Sequence, residues 1–181
     1  MKVVFLDRDG VINKEVKYLH KLKDFEYTYK CVEALANILA AGYKIIVITN
    51  QAGIAKGIFK KSDYDELTKF YTQDLSSYGI DILDVFFCPH HIDGVVLEYK
   101  MDCMCRKPKP GMLVDAIVKY SVDVKESFFV GDKLSDIEAG NAANISSLVL
   151  VKSGHEFDAS VSMSIPVYKN LYEFSLDLEM M

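Results

Sequence analysis

Residues 3–6, Val-Val-Phe-Leu, form an apolar run with no polar position alternating through it, and Asp7-Arg8-Asp9-Gly10 follows without a spacer. Its length and β-branched content predict a buried strand. The missing alternation predicts a strand covered on both faces, as at the centre of a parallel sheet. A chain that opens this way must supply helices for two faces and crossover connections between strands. The strand also ends on two carboxylates two residues apart, able to project to one side of an extended segment. Open α/β sheets bind their ligands at that edge.

The pattern recurs. Lys44 to Asn50 (Lys-Ile-Ile-Val-Ile-Thr-Asn) is a second buried strand ending in polar residues, followed by the glycine-containing loop 51–57. Asp84 to Pro89, Ser127 to Val130 and Ser147 to Val151 supply three more strands. Helical spacing falls at Cys31 to Ala41, before Gly42, and at Gly111 to Tyr120 and Asp136 to Ala143. Ser62-Asp63-Tyr64-Asp65 has the spacing of a capping box opening a helix to about Tyr78. A short run around Val167 and a helix from Leu171 are expected to pack on the sheet edge. Strand and helix alternate, so the expected class is a three-layer, Rossmann-like α/β fold with a parallel sheet. With 181 residues it is expected to be one domain, 1–181.

Half the residues are apolar, which excludes disorder, yet no run approaches the ~20 needed to cross a bilayer. A soluble cytoplasmic protein without membrane partners is expected. The net charge of −5 argues against a nucleic-acid binder and leaves a small anionic ligand open. A monomer is expected.

Each strand delivers polar residues to the same sheet edge. They are Asp7 and Asp9, then Thr49 and Asn50, then Gly131-Asp132 with Asp136 four residues on; Lys107 stands in the basic run Arg106-Lys107-Pro108-Lys109. The irregular span after Pro89 needs something to hold it together. It contains Cys88-Pro89-His90-His91 and, with twelve residues between His90 and the next cysteine, Cys103-Met104-Cys105. Three thiolates and one imidazole make a complete tetrahedral set for structural Zn²⁺. The next-but-one spacing favours Cys88, His90, Cys103 and Cys105, with His91 as the alternative to His90. Cys31, beside Val32 and Leu35, is expected in the core.

In that order, D-R-D-G, T-N, the lysine and G-D-x-x-x-D resemble the four motifs of the haloacid dehalogenase superfamily. D-R-D-G-V-I-N, T-N-Q-A-G-I-A-K-G, C-P-H-H…C-M-C-R-K-P-K-P-G-M and V-G-D-K-L-S-D-I narrow the resemblance to the D-glycero-D-manno-heptose 1,7-bisphosphate 7-phosphatase branch. It runs over nearly the whole chain. The sister branch, histidinol-phosphate phosphatase, shares the cysteine motif but has a shorter zinc loop. Val11, Ala52 and Met104 depart from the usual pattern, and none removes a catalytic group.

The resemblance implies a phosphatase without a large cap domain that removes the 7-phosphate of the heptose bisphosphate, in the making of nucleotide-activated heptose for surface polysaccharide. The alternatives are a histidinol-phosphate phosphatase and a non-catalytic, zinc-containing sugar-phosphate binder. It implies Asp7 as nucleophile, giving an aspartyl-phosphate, and Asp9 as acid and then base. Mg²⁺ would be held by Asp7, the Asp9 carbonyl and Asp132, supported by Asp136. Thr49 hydroxyl, Asn50 amide and Lys107 would hold the phosphoryl oxygens. Glu15 to Tyr18, the loop Gln51 to Gly57 and Arg106 would meet the sugar, and Lys133 a second phosphate.

Overall fold

A computed structural model describes residues 1–155 and 165–178. Six strands form one parallel sheet: β1 (Val3–Leu6), β2 (Lys44–Asn50), β3 (Ile82–Cys88), β4 (Phe128–Gly131), β5 (Ser147–Val151) and β6 (Val167–Tyr168). Their order is β3-β2-β1-β4-β5-β6, so β1 lies between β2 and β4. Among the described residues, four helices stand between strands, α1 (Cys31–Ala40), α2 (Lys61–Ser77), α3 (Gly111–Tyr120) and α4 (Leu134–Ala142), and α5 (Leu171–Leu178) follows β6.

Alternate residues of each central strand feed opposite layers, as the pleat requires. Val4, Leu6, Ile45 and Val47 pack on Leu35 and Ile38 of α1, Tyr71 and Leu75 of α2, and Phe174 of α5. Val3, Phe5, Ile46 and Ile48 pack on Met112, Leu113 and Ala116 of α3 and Ala139 of α4. All four residues of β1 are fully buried, which is why no polar position interrupts the run. Burial of such a side chain contributes about 1.5–3 kcal/mol, and truncating Phe5 to Ala would cost about 3–5 kcal/mol through the cavity left in the layer against α3 and α4.

The first turn of α2 departs from the expected capping box. The helix begins before Ser62, and Asp63 Oδ2 accepts the backbone N–H of Lys60 at 2.7 Å. Asp63 thus caps from the third helical position, and Ser62 lies inside the first turn. Cys31 is buried in the core, as expected.

Two connections position the site. The β2–α2 loop and the long β3–α3 segment are stitched together at Ala55, whose N–H donates to Pro89 O (3.2 Å) and whose carbonyl accepts from Val95 (2.8 Å) and Val96 (3.0 Å). Neither carries an additional folded cap. No helix among the described residues is long and apolar enough to cross a membrane.

Candidate active site

The carboxyl ends of β1, β2 and β4 converge, because β1 is flanked by the other two. At the end of β1, Asp7 Oδ1 accepts the Arg8 backbone N–H (2.7 Å) and pairs with Lys107 Nζ (3.0 Å). Lys107 is 4% exposed, and its ammonium also meets Asp136 Oδ1 (2.7 Å) and donates to Ile48 O (2.8 Å). Burial works against that charge, but Asp136 and Asp7 outweigh it and hold Lys107 above the ordinary lysine range. The end of β4 supplies Asp132, and Asp136 on α4 turns back to accept the N–H groups of Asp132 (3.2 Å) and Lys133 (3.0 Å) through Oδ2.

Asp7, Asp132 and Asp136 each place a carboxylate oxygen within 4.8 Å of the others. Burial, then the neighbouring carboxylates, push Asp132 up to about 9; Asp7 is pushed up to about 6 by burial, against the pull of Lys107. Asp132 Oδ1 is buried with no hydrogen-bond partner. Crowded hard oxygen donors with an orphaned lone pair are what a small divalent cation satisfies, so this donor set fits Mg²⁺.

Asp9 belongs to a different network. The sequence allows Asp7 and Asp9 on one side of the chain, but the Asp9 carboxylate turns to Arg8, Asn13 Nδ2 (3.0 Å) and Gln51 Nε2 (3.0 Å). Burial raises its affinity for a proton, and Arg8 with the Asn13 and Gln51 bonds more than offsets this, leaving it below its usual range. Gln51 Nε2 also donates to Thr49 Oγ1 (2.9 Å). With that lone pair occupied, the Thr49 hydroxyl is free to donate its proton elsewhere.

Asn50 lines the cleft and also ties two loops together: it donates from Nδ2 to Lys107 O (3.0 Å) and accepts the Lys107 N–H through Oδ1 (3.1 Å).

A cleft of about 520 Å³ opens above these residues, lined by Asp9, Glu15, Tyr18, Gln51, Arg106 and Lys133, together with Lys17, Lys56 and Lys107. Lys56 Nζ donates to Tyr18 OH (3.1 Å), and Arg106 Nη1 donates to His90 O (3.4 Å). Lys133 Nζ lies 3.7 Å from Glu15, and Asp132 and Asp7 hold its charge up despite partial burial. Lys133 thus stands between Glu15 and the carboxylate cluster in the wall of the cleft. A hollow of similar volume beside β5 and β6 has neither carboxylate nor cation in its walls.

On the rim, Cys88, His90, Cys103 and Cys105 come together. Cys105 Sγ lies 3.0 Å from Cys88 and 3.2 Å from Cys103; His90 Nδ1 lies 3.2 Å from Cys105 and 3.8 Å from Cys88. All three thiols are free. His91 stands outside this cluster, its Nδ1 accepting the Asp93 N–H (3.1 Å). Four soft donors with no fifth position fit a closed tetrahedral Zn²⁺ site.

Two side chains escaped the sequence reading. Arg8 was legible only as the spacer between two acids. His155, beyond β5, brings Nδ1 to 2.6 Å from Asp132 Oδ2, where Ser153-Gly154 crosses the site and Ser153 Oγ donates to Gly10 O (2.6 Å). A small residue followed by histidine past a strand end was the available signal.

Comparison with known proteins agrees with this geometry. The family model described as polynucleotide kinase 3 phosphatase matches residues 2–161. A D-glycero-alpha-D-manno-heptose-1,7-bisphosphate 7-phosphatase of Photorhabdus laumondii is 54% identical over 99% of this chain and 97% of its own. The same organism's D-glycero-beta-D-manno-heptose-1,7-bisphosphate 7-phosphatase is 43% identical over 83% of this chain and 80% of its own. The crystal structure of D,D-heptose 1,7-bisphosphate phosphatase from B. bronchiseptica, complexed with magnesium and phosphate, superposes with a TM-score of 0.83 at 28% identity, covering 99% of both chains.

Proposed function

The chain belongs to the haloacid dehalogenase-like heptose-1,7-bisphosphate 7-phosphatase family, and from that premise we propose that it removes the 7-phosphate of D-glycero-D-manno-heptose 1,7-bisphosphate, preferring the alpha anomer. The observation that carries this reading is the 54% identity to the alpha-named relative over nearly the full length of both chains, against 43% over a shorter span for the beta-named one. The cationic cleft suits a substrate with two phosphates.

In this reading Asp7 attacks phosphorus, the sugar oxygen leaves with a proton from Asp9, and an aspartyl-phosphate forms. Asp9 then takes a proton from water, whose oxygen displaces phosphate from Asp7. Thr49 donates its hydroxyl proton, and Lys107 its charge, to the equatorial oxygens; Asn50 holds the Lys107 backbone in register for this. Asp7, the Asp9 carbonyl and Asp132 would hold Mg²⁺, with Asp136 orienting Asp132 through its backbone N–H. When bound, that ion neutralises charge on the phosphoryl oxygens. Zn²⁺ on Cys88, His90, Cys103 and Cys105 would stiffen the rim that carries Arg106, and Glu15, Tyr18, Gln51 and Lys133 would contact the substrate.

The test is kcat/KM, with Mg²⁺, for the alpha and beta anomers of the heptose bisphosphate and for histidinol phosphate. The alpha anomer is expected to be hydrolysed fastest. A higher kcat/KM for the beta anomer overturns the anomeric assignment, and one for histidinol phosphate moves the chain to the sister branch.

A further inference from the structure

Arg8 is among the largest fully buried side chains, at 1% exposure, yet it stands at the mouth of a strand whose neighbours on either side are acids. Nη2 donates to both Asp9 oxygens, at 2.9 Å each, and Nε donates to Oδ1 at 3.2 Å. The guanidinium is backed by α2, its carbon 6.0 Å from the centroid of the Tyr64 ring, while Nη2 also faces Leu19 O at 3.5 Å. The Asp9 side chain is 16% exposed and lines the cleft. A charge wedged between a helix and one carboxylate is weak evidence of stability design, since a well-packed apolar residue of the same volume does as well or better.

The alternation of the chain explains the geometry. Asp7 and Asp9 flank Arg8, Asp7 is engaged by Lys107, and Arg8 is the group able to reach across the face of Asp9 from the α2 side. A planar fork fixes both oxygens of a carboxylate, which a lysine ammonium does not.

We propose that Arg8 is the positioning residue for Asp9, gripping its carboxylate so that both proton transfers of the phosphatase cycle take place from one fixed spot at the cleft floor. The proposal rests on the phosphatase reading above. Arg8 does not touch the phosphoryl group; it acts through Asp9. Its loss is therefore felt where a proton must move, and spared where none is needed.

Single-turnover kinetics of the full-length, Mg²⁺-supplied protein separate these cases. Release of an alkoxide from a sugar phosphate needs the proton that Asp9 delivers, whereas p-nitrophenolate leaves without one. For Arg8→Met, first-turnover cleavage of the heptose bisphosphate is expected to slow about 30-fold or more, while first-turnover release of p-nitrophenolate from p-nitrophenyl phosphate stays within about threefold of wild type. Later turnovers of the second substrate should slow, because water attack on the aspartyl-phosphate still needs Asp9 as base. Arg8→Lys, which keeps the charge and loses the fork, should show the same split in smaller measure and decides the matter if Arg8→Met does not fold. Equal first-turnover losses on both substrates, or none on either, overturn the proposal alone. A wild-type protein inert to both substrates overturns the phosphatase reading and the proposal with it.

Discussion

Asn50 and Lys107 are locked together by two hydrogen bonds that use both polar atoms of the asparagine amide and both polar groups of the lysine backbone. The pairing joins the end of β2 to the loop before α3, so the ammonium beneath it is aimed by a residue 57 positions away. Asn50→Ala should leave the buried Lys107 N–H and carbonyl without partners, at about 1–3 kcal/mol, and lower kcat about tenfold or more. Thermal melts and steady-state kinetics on one preparation check both.

Asp7→Asn should keep the fold and lose more than about a hundredfold in kcat, because the amide is nearly isosteric and is a poor nucleophile. Phosphate release measured over hours is the assay. Retention of most of the wild-type rate would exclude the aspartyl-phosphate.

For the zinc site proposed on Cys88, His90, Cys103 and Cys105, Cys103→Ser should lower the zinc content found by elemental analysis and lower Tm by about 5 °C or more, with activity falling only as the rim loosens. A chelator strong enough to strip the wild type should reproduce the effect, and zinc should reverse it.

Gly154→Ala tests the crossing beyond β5. A Cβ there would lie 1.9 Å from Asp132 Oδ2, and Gly154 Cα already lies against the Gly10 position, where φ is +86°. The Asp132 carboxylate must move, so Mg²⁺ stabilisation of the fold, read as the rise in Tm on titrating the ion, should weaken about tenfold or more in affinity.

Asp84 provides a pH test away from the site. Burial raises its pKa, but bonds from Lys119 Nζ (2.8 Å), Tyr120 OH (2.8 Å) and the Val85 N–H (2.8 Å) outweigh it and hold the carboxyl below the usual range. A folded pKa below the unfolded one of about 3.9 gives stability present above that pH and lost as pH falls through the folded value. Asp84→Asn should lower Tm by a few degrees at pH 7, with the gap to wild type closing below about pH 4.

The central strand, the polar strand ends and the cysteine pairs were legible because they are local: an unbroken apolar run, a carboxylate where it stops, a next-but-one spacing. Asp7, Asp132 and Asp136 could be placed at one edge from these, since parallel topology carries the strand ends there, whereas Lys107, in the loop before α3, was placed by the resemblance of the ordered motifs. Pairings across loops were not legible. Nothing in Thr49-Asn50 says that the amide turns to a backbone 57 residues on, nor in Asp7-Arg8-Asp9 that the two acids separate into different networks. The same limit misplaced the cap of α2. Spacing offered Ser62 with Asp65, and the first turn chose Lys60 with Asp63.

The position of β1 between β2 and β4 has a consequence for synthesis. Val3 donates its N–H to Ser127 Oγ across 124 residues of sequence, and β4, which closes that edge, also carries in Asp132. On the ribosome β1 is therefore sealed late, only after β4 has followed it. Until β4 emerges, β1 presents one unpaired edge and apolar side chains toward both faces, the surface that invites wrong partners. A chain stalled before Phe128 already holds Asp7, yet lacks Asp132 and Asp136 beside it and has an adhesive strand in place of a finished edge.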